Sequence, residues 1–149
     1  MQAFKNEPIT TVWTDERKRS MHAGFVKVRE RAKEIRPLRV NGEVDHDGKT
    51  LERFNPSDTR ELLGRCVTVT AEIAKRAVES AHQMYVNSWR KTDPMFRVRI
   101  VMRTAALLRK YRDEFNAYLV LEAGKSWSEA DGDTAEAIDF CEFYAREAV

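Results

Sequence analysis

Leu119-Val-Leu-Glu-Ala-Gly-Lys-Ser-Trp-Ser-Glu-Ala-Asp-Gly-Asp-Thr-Ala-Glu-Ala-Ile-Asp-Phe140 is the stretch whose reading decides the fold. A helix carrying Phe115, Tyr118, Leu119 and Glu122 closes at Ala123-Gly124, where glycine suits the left-handed residue past a last turn. Ser126 or Ser128 then opens a second helix that runs toward Val149 with no Gly, Asn or Pro stop signal. From Ala130 its small or apolar positions Thr134, Ala137, Cys141, Tyr144 and Ala148 alternate steps of four and three, which predicts one buried stripe. The missing stop is what the front piece of something larger would show. Gly132 costs about 1 kcal/mol relative to Ala inside a helix, and close packing against another backbone would justify it.

Working outward, Thr14 or Asp15 caps a first helix with the stripe Met21, Phe25, Val28, Ala32 and Ile35, ended by Pro37. Leu38-Arg39-Val40 reads as a short strand into the turn dipeptide Asn41-Gly42. Asp45-His46-Asp47-Gly48 is a second turn. Thr50 to Phe54 alternates as a strand broken by Asn55-Pro56, and Leu63 to Val69 supplies a third. Three short strands make a small antiparallel element, marginal unless packed on something else. Beyond it Thr70 caps a helix with Ile73, Ala77, Ala81, Met84 or Tyr85, and Trp89. Thr92-Asp93-Pro94 starts the next, through Val98, Val101, Ala105, Leu108 and Tyr111. Asp113 opens the helix that Gly124 closes. At least four helices carry apolar stripes that three short strands cannot cover, so a sheet outside this segment is expected to pack on them.

Composition fits a soluble, helix-rich globular chain. Of 149 residues 42% are hydrophobic and 34% charged, enough to bury a core as one domain. The 26 basic and 24 acidic residues are interspersed and leave a formal charge of +2, which argues against nucleic-acid binding. The basic stretches Glu16–Arg19 and Arg97–Arg112 fall at helical spacing and read as solvated faces. No apolar run approaches the ~20 residues of a membrane span, and the N-terminus has no secretory apolar core. Two cysteines without Cys-x-x-Cys spacing fit a reduced, cytoplasmic context.

Four constellations could carry chemistry. Gly124-Lys125-Ser126 matches the end of a phosphate-binding loop, but Leu119 stands where the motif needs Gly, and a helix cap is the better account. Asp45, His46, Asp47 and Gly48 lack calcium-loop spacing and read as a solvated turn. Cys66 and Cys141 sit in apolar patterns and read as buried structural thiols. Along the last helix Glu129, Asp133 and Glu136 fall near one face that Asp139 continues. They could bind a cation or amine, or simply favour the helix dipole.

Taken in order, several strings resemble the N-terminal part of the aldehyde dehydrogenase superfamily, with the nearest likeness to its 1-pyrroline-5-carboxylate (L-glutamate gamma-semialdehyde) dehydrogenases. They are Phe4-Lys-Asn-Glu-Pro8, Pro37-Leu-Arg-Val-Asn-Gly42, Asn55-Pro56 with Gly64, Trp89, Arg97 with Ala105-Ala-Leu-Leu108, Glu122-Ala-Gly-Lys125, Trp127, Glu129-Ala130, Asp133-Thr-Ala-Glu-Ala-Ile-Asp-Phe140 and Tyr144-Ala-Arg146. Each is weak alone, whereas their order and spacing over nearly the whole chain are specific.

The resemblance implies the α/β aldehyde dehydrogenase fold, N-terminal part only, helix-rich with a few short antiparallel strands. Residues 1–149 would be an incomplete N-terminal portion of the NAD-binding domain. They divide into a lead-in and first helix (1–37), short strands (38–69) and helices (70–149). It further implies an NAD-dependent oxidation of glutamate gamma-semialdehyde to glutamate in proline degradation, by a soluble homo-oligomer when complete. The family works through a cysteine nucleophile, a glutamate base that activates water and an oxyanion site. Neither Cys66 nor Cys141 stands in the family's nucleophile context, and no glycine-rich NAD turn is present, so the isolated chain is expected to be inactive. One functional residue carries over: Glu136 matches a glutamate lining the aldehyde pocket, where a carboxylate meets the substrate's amino group. Two alternatives are a stand-alone helical interaction module derived from such an enzyme, and a fragment of the bifunctional proline-utilisation enzyme.

Overall fold

A computed structural model describes residues 3–45 and 48–148. The lead-in up to Trp13 has no regular structure, and Thr14 then caps α1 (Asp15–Arg31) by accepting from the Arg17 backbone N–H at 3.3 Å. Met21, Phe25 and Val28 form the buried stripe of α1, as their spacing predicts. Ile35 does not join them. The helix ends at Arg31, well before Pro37, and Ile35 lies exposed in the two-residue strand β1 (Ile35–Arg36).

Strands β2 (Leu38–Val40) and β3 (Glu43–Asp45) pair antiparallel across Asn41 and Gly42. Both turn residues have positive φ, 53° and 83°, the conformation that Asn-Gly supplies at least cost. Strand β4 (Thr50–Asn55) turns straight into β5 (Asp58–Val67). The Asn55 side chain organises that turn. Its Oδ1 accepts from the Ser57 N–H at 2.8 Å and its Nδ2 donates to Glu61 at 2.7 Å.

The expected three antiparallel strands are therefore five. β5 begins five residues before Leu63: Asp58-Thr-Arg-Glu61 is too polar to read as strand, yet Asp58 pairs with Asn55 and the ladder resumes at Leu62 opposite Phe54 after a register shift. β1 runs parallel, with Ile35 opposite Arg65 and Arg36 opposite Cys66. The resulting sheet has the order β1-β5-β4.

Four helices follow: α2 (Ala71–Asn87), α3 (Pro94–Lys110), α4 (Arg112–Ala123) and α5 (Trp127–Glu147), with a 3-10 turn at Trp89–Lys91. Thr70 caps α2 and Asp93 caps α3 with Pro94 in its first turn, both as expected. Nothing caps α4 through a side chain, and it starts at Arg112 rather than Asp113. Gly124 ends α4 at φ 68°, and Ser126 opens α5 with a capping box closed by Glu129. The phosphate-loop look-alike is thus two helix caps in succession. Replacing Gly124 with Ala forces a side chain into the left-handed region and is expected to cost about 1 kcal/mol, read as a lowered urea midpoint at unchanged slope.

One core joins α1, β5 and α4 through Met21, Phe25, Val28, Leu63, Ala117 and Leu121, with Trp13, Tyr118, Val120 and Trp127 against it. Helix α5 packs on α3 and α4. Its buried stripe keeps the expected Ala130 and Thr134 and departs from the expected positions beyond them. Ala130, Asp131, Thr134, Ala135, Ile138, Glu142 and Ala145 face inward, while Cys141 is half-buried and Tyr144 is 61% exposed. Arg109 of α3 and Arg112 of α4 offer charged partners to Glu142 and Asp131, so these acidic side chains, which reading by hydropathy turns outward, are buried. Gly132 has no neighbour that an added Cβ would meet within 4 Å, so close backbone packing does not account for it among the described residues. Apolar side chains remain exposed along several helices, including Val78, Met84, Ile100, Leu107 and Phe115. Among the described residues no helix is long and apolar enough to cross a membrane.

Candidate functional site

The acidic residues of α5 separate into distinct environments. Glu129 is spent on the capping box, accepting from the Ser126 N–H at 2.9 Å, and those backbone and side-chain bonds to Ser126 hold its carboxyl below the usual range. Asp133 pairs with Lys125. Asp139 accepts from Asn6 Nδ2 at 2.8 Å and from the Glu7 N–H at 2.6 Å. Glu136 is exposed and makes no hydrogen bond or ion pair with the described residues. The expected four-carboxylate face is therefore one free carboxylate among three that already have partners.

That free carboxylate lies on a groove of about 290 Å³ lined by Phe4, Asn6, Glu136, Asp139, Phe140, Phe143 and Tyr144. Helical spacing builds most of it, since 136, 139, 140, 143 and 144 share one side of α5. The rings brace one another. Phe4 meets Phe143 edge-on at 5.6 Å, Phe143 meets Tyr144 edge-on at 5.3 Å, and Phe140 stacks with Tyr144 at 6.0 Å. An unpaired carboxylate beside aromatic surface suits a small cation such as a primary ammonium, which gains from the charge and from the ring faces. Reasoning from sequence reached Glu136 and missed the groove's other wall, Phe4 and Asn6. The aromatic triplet at 140, 143 and 144 was a signal that could have found its near side.

The buried face of α5 carries an ionic layer. Asp131 accepts from the Thr10 N–H at 2.7 Å, from Arg112 Nε and Nη2 at 2.7 and 2.8 Å, and from Asn116 Nδ2 at 2.9 Å. Thr134 Oγ1 donates to Asn116 Oδ1 at 2.6 Å. Burial pushes the Asp131 carboxyl up, but Arg112, the Thr10 amide and Asn116 outweigh it and leave it below the usual range. Glu142 behaves alike: burial raises it, and Arg146 at 2.6 Å and Arg109 at 2.7 Å bring it below its ordinary value.

The other candidates have no such setting. Cys66 is exposed, contrary to expectation. It alternates with buried Val67 along β5 and so takes the side of the strand that the core does not cover. Cys141 is half-buried on α5. His46 and Asp47, half of the acidic turn, lie outside the described residues. The described residues do not build a dinucleotide cradle. The described glycines with positive φ close a hairpin (Gly42) and a helix (Gly124), and the parallel pairing among described strands is the two-residue β1 against β5.

Comparison with known proteins agrees with this architecture. The model of the Aldehyde dehydrogenase family matches residues 44–149. The chain is 40% identical to a 1-pyrroline-5-carboxylate dehydrogenase of Bacillus mycoides over 97% of its length, which is 28% of that protein. A crystal structure of 1-pyrroline-5-carboxylate dehydrogenase from Thermus with bound NAD superposes with a TM-score of 0.91 at 37% identity, covering 98% of this chain and 28% of that one. Proline utilization A from Bdellovibrio bacteriovorus also superposes with a TM-score of 0.91, at 31% identity over 98% of this chain and 15% of its own. The chain thus spans just over a quarter of the length of the curated relatives it matches.

Proposed function

The chain belongs to the aldehyde dehydrogenase family, and from that premise we propose that it forms the N-terminal part of the NAD-binding domain of a 1-pyrroline-5-carboxylate dehydrogenase. The enzyme oxidises L-glutamate gamma-semialdehyde to L-glutamate in proline breakdown, with NAD as hydride acceptor. Its nucleophile, general base and cofactor turn belong to the rest of that enzyme. What this chain contributes is substrate recognition. Glu136 receives the substrate's ammonium beside the rings of Phe140 and Tyr144. The observation that carries this role is the free carboxylate of Glu136 on an aromatic groove, at the helix position where the family resemblance puts a substrate contact.

A charge-assisted hydrogen bond contributes about 1.5–3 kcal/mol. Glu136→Ala in the complete enzyme is therefore expected to raise KM for the semialdehyde about ten- to a hundredfold, with KM for NAD unchanged. Steady-state kinetics against each substrate decides it, and equal effects on both would refute the pocket role. The likeness to proline utilization A supports a second reading, in which the chain comes from a bifunctional enzyme; coding sequence upstream in the same frame for a proline-oxidising domain would favour it.

A further inference from the structure

The groove at Glu136 has one wall that does not come from α5. Phe4 and Asn6 belong to the lead-in, more than 130 positions from the helix residues they face and without regular structure of their own. Apolar burial does little to fix them, since the lead-in's contribution to the core is Trp13. Polar contacts do the rest. Asp139 accepts through Oδ2 from Asn6 Nδ2 at 2.8 Å and through Oδ1 from the Glu7 N–H at 2.6 Å. The Glu7 carboxylate receives Arg109 Nε at 2.7 Å and Arg112 Nη1 at 3.5 Å. Three residues on, the Thr10 N–H donates to Asp131. Thus two carboxylates of α5, eight positions apart, hold the strap along the helix, and Phe4 closes against Phe143.

Both oxygens of Asp139 are engaged by this strap, whereas the Glu136 carboxylate, one turn earlier, is engaged by nothing described. Two neighbouring carboxylates in one groove therefore have different work. We propose that Asp139 is a positioning residue: it latches the lead-in so that Phe4 and Asn6 form the outer wall of the substrate groove, and it leaves Glu136 as the carboxylate that meets the substrate's ammonium. The proposal rests on the assignment of the groove to substrate made above. It makes the shape of the pocket depend on a segment held, among the described residues, through hydrogen bonds, the Glu7 ion pairs with Arg109 and Arg112, and the ring contacts of Phe4 and Trp13.

Conservative replacement separates positioning from direct contact. Asparagine at 139 keeps an acceptor for the Glu7 N–H, and the Asn6 amide can turn to offer its oxygen to the new NH2 group; alanine keeps neither. In the complete enzyme Asp139→Ala is expected to raise KM for the semialdehyde about tenfold, and Asp139→Asn to stay within about twofold of the parent, with KM for NAD unchanged in both. Hydrogen exchange at the Glu7 amide supplies a readout that needs no turnover. It should accelerate at least about tenfold in Asp139→Ala and stay near the parent in Asp139→Asn. Asn6→Ala, which alters an exposed side chain of the strap alone, should shift KM in the same direction and guards against loss of folding in the helix variants.

An Asp139→Asn enzyme as impaired as Asp139→Ala would overturn the proposal, because the charge itself would then be meeting substrate. Unchanged Glu7 exchange in Asp139→Ala would overturn it too, because no latch would exist. If Glu136→Ala raises the aldehyde KM while Asp139→Ala and Asn6→Ala do not, the groove assignment stands and the positioning role falls. If Glu136→Ala also leaves that KM unchanged, the groove assignment falls, and the positioning role falls with it.

Discussion

Asp131→Ala is expected to destabilise the chain by about 3–5 kcal/mol, the usual cost of breaking a buried ion pair on one side. The Asp131 side chain is 1% exposed, and its four donors come from three separate places: the lead-in, the start of α4 and the middle of α4. Removing the carboxylate leaves Arg112, itself only 14% exposed, without its bidentate partner, and strands the Asn116 amide in the core. Asparagine at 131 keeps one acceptor oxygen and should cost less. Urea denaturation of the three forms gives the ranking, and a loss below about 1 kcal/mol in the alanine form would show that the layer is not holding these elements together.

The same group gives a signed dependence on pH. Asp131 and Glu142 both titrate below their ordinary values in the folded chain. A carboxyl depressed on folding contributes stability that is fully present above the unfolded value, about 4, and is lost as pH falls through the folded one. Stability should therefore decline on acidification below about pH 4–5, with a shallower slope in Asp131→Asn because one of the depressed carboxyls is gone. An unchanged slope would mean that Asp131 is not among the groups responsible.

Gly24→Ala carries the other large effect. A Cβ built on Gly24 would lie 2.4 Å from the carbonyl oxygen of Asp113 and 2.9 Å from its carbon, both backbone atoms that cannot turn aside. One turn earlier on α1, Ser20 Oγ donates to Asp113 Oδ2 at 2.5 Å, and Arg17 Nη1 donates to the same oxygen at 2.9 Å. Helices α1 and α4 are thus drawn together at a point where only a hydrogen atom fits. Alanine would gain about 1 kcal/mol of helix propensity. Forcing the two helices apart across Met21, Phe25 and Ala117 should cost more, for a net loss of about 2–3 kcal/mol. A lowered thermal midpoint, with faster exchange of amides in α1 and α4, is the expected result; a midpoint at or above the parent's would show that the helices separate freely.

Features set by neighbours in sequence were legible. Thr14, Thr70, Asp93-Pro94, Gly124 and Ser126 mark helix ends through bonds that span only a few residues, and the structure uses each of them. Features set by distant partners were not. The polar start of β5 becomes strand because β4 lies beside it, and β1 pairs over two residues with a strand some 30 positions away. The buried face of α5 was misread for a physical reason: Asp131 and Glu142 count as solvent-facing until Arg112, Arg109 and Arg146 are placed beside them. The groove divides the same way. Glu136 came from the family resemblance, and the aromatic spacing on α5 was there to be read, but the wall of Phe4 and Asn6 folds in from the far end of the chain.

On the function proposed above, these residues recognise a substrate whose chemistry the rest of an NAD-dependent dehydrogenase completes. Following nicotinamide absorbance after addition of glutamate gamma-semialdehyde, with the 149-residue chain and the complete enzyme side by side, tests it most directly. NAD reduction by the complete enzyme and none by the chain alone is the predicted result. Turnover by the chain alone, or silence of the complete enzyme toward this aldehyde, would contradict it.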